Sequence, residues 1–234
     1  MGLSTTASGA QSTAMGRLTT ASGISSLALG YSTTSSGHQS ISAGNSSTAS
    51  ASYSTSIGYG SVASDFASVV IGQYNSSGSS VTNNATSFNT ANTAFVIGNG
   101  TDSSNKSDAF KVMFNGDATI GNDLTVSGDV VVSSDARLKS NIVSLGSTIS
   151  RLLLIDGKYY EMKGKQKIGV LAQDIQEVFP ELVSEDDNKM LAVNYQGLVP
   201  VLINALKEQQ SEIETYRDEV SELREMVQEL ASRD

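Results

Sequence analysis

The sequence predicts a mainly β, fibrous N-terminal part, a β-solenoid built by association of identical chains, followed by an α+β domain that ends in a trimeric coiled coil. Three observations carry this. Glycine recurs on a seven-residue grid over roughly the first third of the 234 residues, the composition changes abruptly near residue 134, and residues 206–234 keep a heptad pattern of apolar positions.

The grid runs Gly9, Gly16, Gly23, Gly30, Gly37, Gly44, Gly58 and Gly72, with Ala51 and Asp65 on the two ticks that lack glycine. Two positions before each tick the side chain is nearly always small: Ala14, Ala21, Ala28, Ser35, Ser42, Ala49, Ser56, Ala63, Val70. One position before, Met15, Leu29, Ala43, Ile57 and Ile71 alternate with residues such as Ser22, Ser36, Ser50 and Ser64, so the true period is 14. A helical heptad is excluded, because glycine in every heptad costs about 1 kcal/mol each against alanine and large a/d residues are missing. Short strands turned by glycine fit better, two per 14-residue coil. The expectation is that Met15, Leu29, Ala43, Ile57 and Ile71 stack inward while serine and threonine face water. A disordered Ser/Gly linker would have no reason to keep such a ladder. A core this thin offsets little of the roughly 1 to 2 kcal/mol per residue of ordering entropy, so association is expected, most simply of three chains.

Runs such as Ser12-Thr13-Ala14-Met15-Gly16 and Ser26-Leu27-Ala28-Leu29-Gly30 resemble the head repeats of trimeric autotransporter adhesins of the YadA type, over about residues 4–74. That resemblance implies a left-handed parallel β-roll made by three chains; the stalk and membrane-anchor barrel of that family have no counterpart here. The motif returns at Ala94-Phe95-Val96-Ile97-Gly98, off the grid, so residues 73–93 read as an insertion or long loop. Asp108–Ile120 alternates around Asn115-Gly116-Asp117, a hairpin signature, and Leu124–Val132 continues in β-like alternation.

The net charge is −9, with only three basic and six acidic residues before Ser134. Such a balance repels nucleic acid and anionic membranes. There is no cysteine, hence neither disulfide nor thiolate metal site. No apolar run approaches the roughly 20 residues of a membrane span, and the start Met1–Thr6 shows neither the basic nor the apolar region of an export signal. Membrane insertion is not expected, nor any cofactor or metal.

At Ser133-Ser134-Asp135-Ala136-Arg137-Leu138-Lys139 the chain turns globular. Taken alone this is a domain junction, with Ser134 or Asp135 as a cap and Arg137 and Lys139 solvated. The segments Ile168–Val183, Leu191–Tyr195 and Leu198–Glu208 are, however, similar to the intramolecular chaperone of endosialidases and phage tail spikes, the peptidase S74 domain. In that family three chains assemble before the bond preceding the motif serine is cut by a Ser/Lys dyad. The resemblance therefore implies Ser134 as nucleophile, Lys139 as base, and the bond from Ser133 to Ser134 as the one cut. A serine hydroxyl needs a base, and a lysine serves only where burial lowers its pKa well below about 10.4. Asp135 and Arg137 are read as fixing the turn.

The C-terminal helix places Leu206, Ile213, Val220 and Val227 on one core row and Gln209, Tyr216, Leu223 and Leu230 on the other. Glu208, Glu212, Glu214, Arg217, Asp218, Glu222 and Arg224 read as its solvated face. His38, the one histidine, has no histidine partner for a metal, and Glu185-Asp186-Asp187 reads as a solvated turn.

The domain reading is thus 1–74 head-repeat β-roll, 75–133 insertion, hairpin and shaft, 134–205 chaperone, and 206–234 coiled coil. The function expected is the C-terminal part of a trimeric phage tail fibre on the virion, whose chaperone drives trimerisation and is released by self-cleavage. Its partners would be two identical chains and a host cell-surface receptor or glycan. The alternatives are a bacterial cell-surface adhesin carrying an S74-like domain and, for lack of a paired acidic cleft, less readily a fragment of a glycan-degrading spike.

Overall fold

The computed structural model describes residues 1–186 and 189–232 and divides into two compact units, Met1–Val131 and Val132–Asp234. In the first unit the 14-residue period becomes a β-solenoid. Long strands Thr13–Arg17, Leu27–Tyr31, Ile41–Asn45, Thr55–Tyr59 and Val69–Gln73 stack in parallel, and short strands Thr6–Ala7, Thr20–Ala21, Thr34–Ser35, Thr48–Ala49 and Val62–Ala63 form a second parallel sheet. Register follows the sequence repeat residue for residue: Ala14 lies beside Ala28, Ala28 beside Ser42, and Ser42 beside Ser56.

Glycine is required here mainly by closeness. A Cβ on Gly30 would lie 2.0 Å from the Gly44 carbonyl oxygen, and one on Gly23 1.9 Å from that of Gly37. Gly30 is also left-handed, with φ of 117°, but Gly23 is not, and most φ > 0 corners are occupied by Gln11, Leu18, Ser25, Ser32, Gln39, Ser46 and Tyr53. The turning role expected of glycine is therefore largely filled by other residues.

The inward ladder is reversed from expectation. Ala14, Ala28, Ser42, Ser56 and Val70 are buried, as are Ala21, Ser35, Ala49 and Ala63, while Met15 and Ile57 are each 45 % exposed. Side chains alternate along a strand, and coils this tight leave room inside only for small residues, so the larger apolar row must point out. Serine and threonine go inward with the alanines: Thr19, Thr33, Ser47 and Ser61 are fully buried. Several of the hydroxyls are absorbed by one another or by carbonyls, as in Ser56–Ser61 at 2.9 Å, Ser54 Oγ donating to the Ala51 carbonyl at 2.8 Å, and Ser47 Oγ to that of Gly58 at 2.8 Å, whereas those of Ser12, Thr19, Ser26 and Thr33 have no partner among the described residues.

The solenoid is interrupted after Gln73 by a strandless excursion and resumes at Thr93–Asn99, which pairs with Val69–Gln73 so that Val70 meets Val96 and Gly72 meets Gly98. On the short-strand side the next coil is missing, and side chains replace it. The Asn75 amide both accepts from Val62 N and donates to Val62 O, at 2.8 Å each, as a neighbouring strand would. Asp65, on a tick that lacks glycine, is fully buried and accepts from Thr82 N, Thr82 Oγ1 and Thr93 N. The hairpin follows as expected, Asp108–Met113 against Ala118–Ile120. No strand forms over Leu124–Val132; Val131 is 89 % exposed, and with no partner strand among the described residues its alternation has nothing to pair with.

The second unit is built on helices α1 (Ile149–Leu152), α2 (Ala172–Val178) and α3 (Leu198–Ala231), with two small antiparallel pairs, Lys158–Met162 with Lys165–Gly169 and Val183–Glu185 with Leu191–Val193. Its core is Ile175, Phe179 and Val201, flanked by Leu152, Ile155, Val178, Leu182 and Leu198. Arg151 ties α1 to the end of α2: its guanidinium donates to the Val178 carbonyl and lies 4.0 Å from the Phe179 ring centroid. Glu208, expected on the solvated face of α3, instead accepts from Ser147 Oγ at 2.6 Å and Thr148 N at 2.5 Å at the start of α1. The Ser147 hydroxyl first, then the Thr148 amide, hold its carboxyl below the usual glutamate range.

Two outcomes follow. Gly30→Ala, which meets a carbonyl and a left-handed backbone at once, should destabilise the first unit by at least about 3 kcal/mol, read by thermal denaturation. For Glu208 the folded pKa is depressed, so its contribution is present at neutral pH and fades as pH falls through the folded value. Glu208→Gln should lower the urea midpoint of the second unit at about pH 7, with the difference from wild type shrinking as pH falls below the usual glutamate range.

Candidate functional site

Residues 133–139 occupy a single tight turn of the second unit. Ala136–Leu138 form one 3-10 turn, capped by Asp135, whose carboxylate accepts from Arg137 N at 2.8 Å. The same carboxylate takes the Arg137 guanidinium from two sides, Nε to Oδ1 at 3.0 Å and Nη2 to Oδ2 at 2.7 Å. Arg137 thereby holds the Asp135 carboxyl below its ordinary value and is itself pushed up by the carboxylate. The backbone closes the turn through Leu138 N to Asp135 O and Lys139 N to Ala136 O, both 3.1 Å.

A turn of about three residues folds positions five apart back toward one another. Here Lys139 Nζ donates to Ser134 Oγ at 2.6 Å. Ser133, Ser134 and Lys139 are all exposed in the single chain, and the clamping Arg137 side chain is 88 % exposed. A hydroxyl with an amine within bonding distance has the parts for nucleophilic attack. The turn sets the pair's geometry and leaves its surroundings incomplete.

The heptad residues lie elsewhere on the same unit. Beyond Glu208 every described residue of α3 is exposed, and along the heptad rows Leu206, Ile213, Tyr216, Val220, Leu223, Val227 and Leu230 are exposed by 39 to 64 %. The remaining sequence candidates hold no site among the described residues. His38 is exposed and meets Tyr53 edge to face at 5.5 Å. Glu185 pairs with Lys189 at 2.5 Å, and Asp186 accepts from Met190 N; Asp187 and Asn188 of that acidic run lie outside the described residues. No group of three metal-ligating side chains occurs among the described residues, and no described helix is long and apolar enough to cross a membrane.

Comparison with known families gives two matches. Residues 134–184 match the peptidase S74 family, described as the chaperone of endosialidase, and the match begins at Ser134 itself. Residues 1–75 match the YadA head domain repeat in five overlapping stretches, 1–19, 7–33, 21–47, 35–61 and 49–75, the last four starting 14 residues apart as the coils of the solenoid do. No curated protein matches the chain.

If the clamp sets the turn, Arg137→Ala should release Asp135 and lengthen the contact between Ser134 and Lys139 while the Ile175–Phe179 core stays folded. A methyl-labelled NMR spectrum of that core, unchanged beside shifted residues 134–139, is the expected result. The chain joins a β-solenoid of YadA head repeats to a domain of the endosialidase-chaperone type.

Proposed function

We propose that this chain is the C-terminal part of a trimeric attachment fibre of a phage tail, whose second unit drives trimerisation and is then released by cutting its own chain between Ser133 and Ser134. The observation that carries the reading is the coexistence of a head-repeat solenoid with a chaperone match that begins at the serine Lys139 touches. Both families suggest homotrimer formation, and fibre or adhesin domains imply an extracellular or virion-associated protein. A bacterial cell-surface adhesin is the second reading, favoured by the YadA-type repeats alone.

Association has a physical motive in each unit. The outer face of the long-strand sheet carries Met15, Leu29, Ala43, Ile57 and Ile71 in register, and α3 extends far past its core with an exposed apolar stripe. Most of a helix's stability comes from packing its apolar face, and a trimeric coil with Leu206, Ile213, Tyr216, Val220, Leu223, Val227 and Leu230 inside would bury the stripe.

In the proposed chemistry Lys139 accepts the proton of Ser134 Oγ as that oxygen attacks the Ser133 carbonyl carbon. The amide to Ser134 N breaks, nitrogen takes the proton, and an ester to Oγ forms. Water then hydrolyses the ester, giving a carboxylate at Ser133 and a new amino terminus at Ser134. Lys139 acts as a base only once neighbouring chains have removed it from water, which makes cleavage follow assembly.

The expected products are fragments 1–133 and 134–234, the smaller beginning Ser134-Asp135-Ala136 by N-terminal sequencing. Ser134→Ala and Lys139→Ala should remain whole yet trimeric, with cleavage slowed about a thousandfold or more. A wild-type trimer that stays intact for days, or a cut at another bond, would show the turn to be a domain junction only. Val220→Asp, which sets a charge on the helix stripe, should lower the mass by light scattering at micromolar concentration and slow cleavage with it. A monomeric wild-type mass would remove the trimer from the proposal.

A further inference from the structure

We infer that the excursion between Gln73 and Thr93 is a binding face for a neutral saccharide, centred on Phe88. The inference rests on the attachment reading and locates its contact. Phe88 is 61 % exposed, although nothing in the solenoid repeat requires an aromatic residue there. Its ring meets Phe114 edge to face at 5.2 Å and 70°, and Phe114 is held in place by its own amide on the Asn92 carbonyl at 3.1 Å. Two linked rings make a small apolar platform whose electron-rich faces suit the C–H bonds of a pyranose.

The excursion is long, polar and strandless, yet it is fastened at many points. Asn84 Oδ1 accepts from Thr86 N and Ser87 N, Asn92 Oδ1 from Asn83 N and Asn84 N, and Asp65 grips both Thr82 and Thr93. A surface already ordered loses little entropy on binding. Around the rings stand side-chain amides: Asn89 Nδ2 donates to Asn83 Oδ1 at 2.7 Å, and Asn115 Nδ2 to Asp117 Oδ2 at 2.7 Å. Each such amide keeps a second N–H for a sugar hydroxyl.

Charge selects among saccharides. No charged residue occurs between Asp65 and Asp102, so the excursion offers no cation to a sialic acid or a sulfate. The charge in the turn next to Phe114 is the Asp117 carboxylate, which repels them. One aromatic pair is also small beside the roughly 800 Å² per partner of a stable protein interface.

The test exposes the full-length chain to immobilised oligosaccharides, neutral hexose and N-acetylhexosamine against sialylated and sulfated, and in parallel to whole bacterial cells. Expected are binding to neutral oligosaccharides, its loss by about tenfold or more in Phe88→Ala, near-wild-type binding in Phe88→Tyr, and unchanged mass in both variants. Undiminished binding by Phe88→Ala, a preference for anionic sugars, or no saccharide bound by wild type each overturns the inference. Adhesion of wild type and Phe88→Ala to cells alike would leave attachment standing with its contact elsewhere, whereas adhesion by neither would remove attachment itself. A reduced mass of Phe88→Ala would make Phe88 a contact between copies of this chain and overturn the saccharide site.

Discussion

Each glycine on the seven-residue grid faces backbone of the coil above it so closely that a Cβ would come to about 2 Å from a carbonyl oxygen. That approach sets the rest of the first unit. Coils stacked at ladder distance leave a narrow interior, so only alanine, serine, threonine and an occasional valine fit inside. Buried hydroxyls then need acceptors, and in the later coils serine meets serine, as Ser35 meets Ser40 and Ser61 meets both Ser47 and Ser56, while Thr19 and Thr33 of the earlier coils find none among the described residues. Such an interior removes little apolar surface from water. The bulk of the apolar surface is left outside, where only another chain would cover it.

The period and the number of strands per coil were legible in the residues because backbone stacking demands the same small side chain at the same place in every coil. The facing of Met15, Leu29 and Ile57 was misjudged because a hydrophobic-inside rule was applied to a coil with no room inside. Strand alternation from the buried Ala14, Ala28 and Ser42 column gives the right answer once the small column, rather than the large one, is taken as the core. The excursion after Gln73 was visible as a break in phase. The parts that close it were not: Asp65 and Asn75 look like ordinary turn residues until the missing coil they substitute for is known.

At the candidate site the reach between positions 134 and 139 was suggested only by likeness to a family, since serine and lysine five apart in a serine-rich chain say little alone. What the turn adds is a cause: Asp135 grips Arg137 through backbone and guanidinium together, and that closes the loop on which Ser134 and Lys139 stand. Glu208 shows the opposite case. Heptad spacing assigns it to solvent, and only the tertiary position of Ser147 and Thr148 makes it an anchor.

The second unit is therefore unevenly finished. Around Ile175, Phe179 and Val201 it has a core, a guanidinium stacked on a ring and a carboxylate seated at a helix start. The turn at Ser134 and the far length of α3 have no such core, and both are open to water. Exposed groups of opposite kinds have a common remedy, because the same contacts between chains that would cover an apolar stripe also exclude water from polar groups beside them. Removing water disfavours the charged form of an amine and strengthens its bond to a hydroxyl. A site assembled in that way is inert in a lone chain and competent only in company, so on this proposal the order of events, association first and bond cleavage second, is enforced by electrostatics and needs no separate switch.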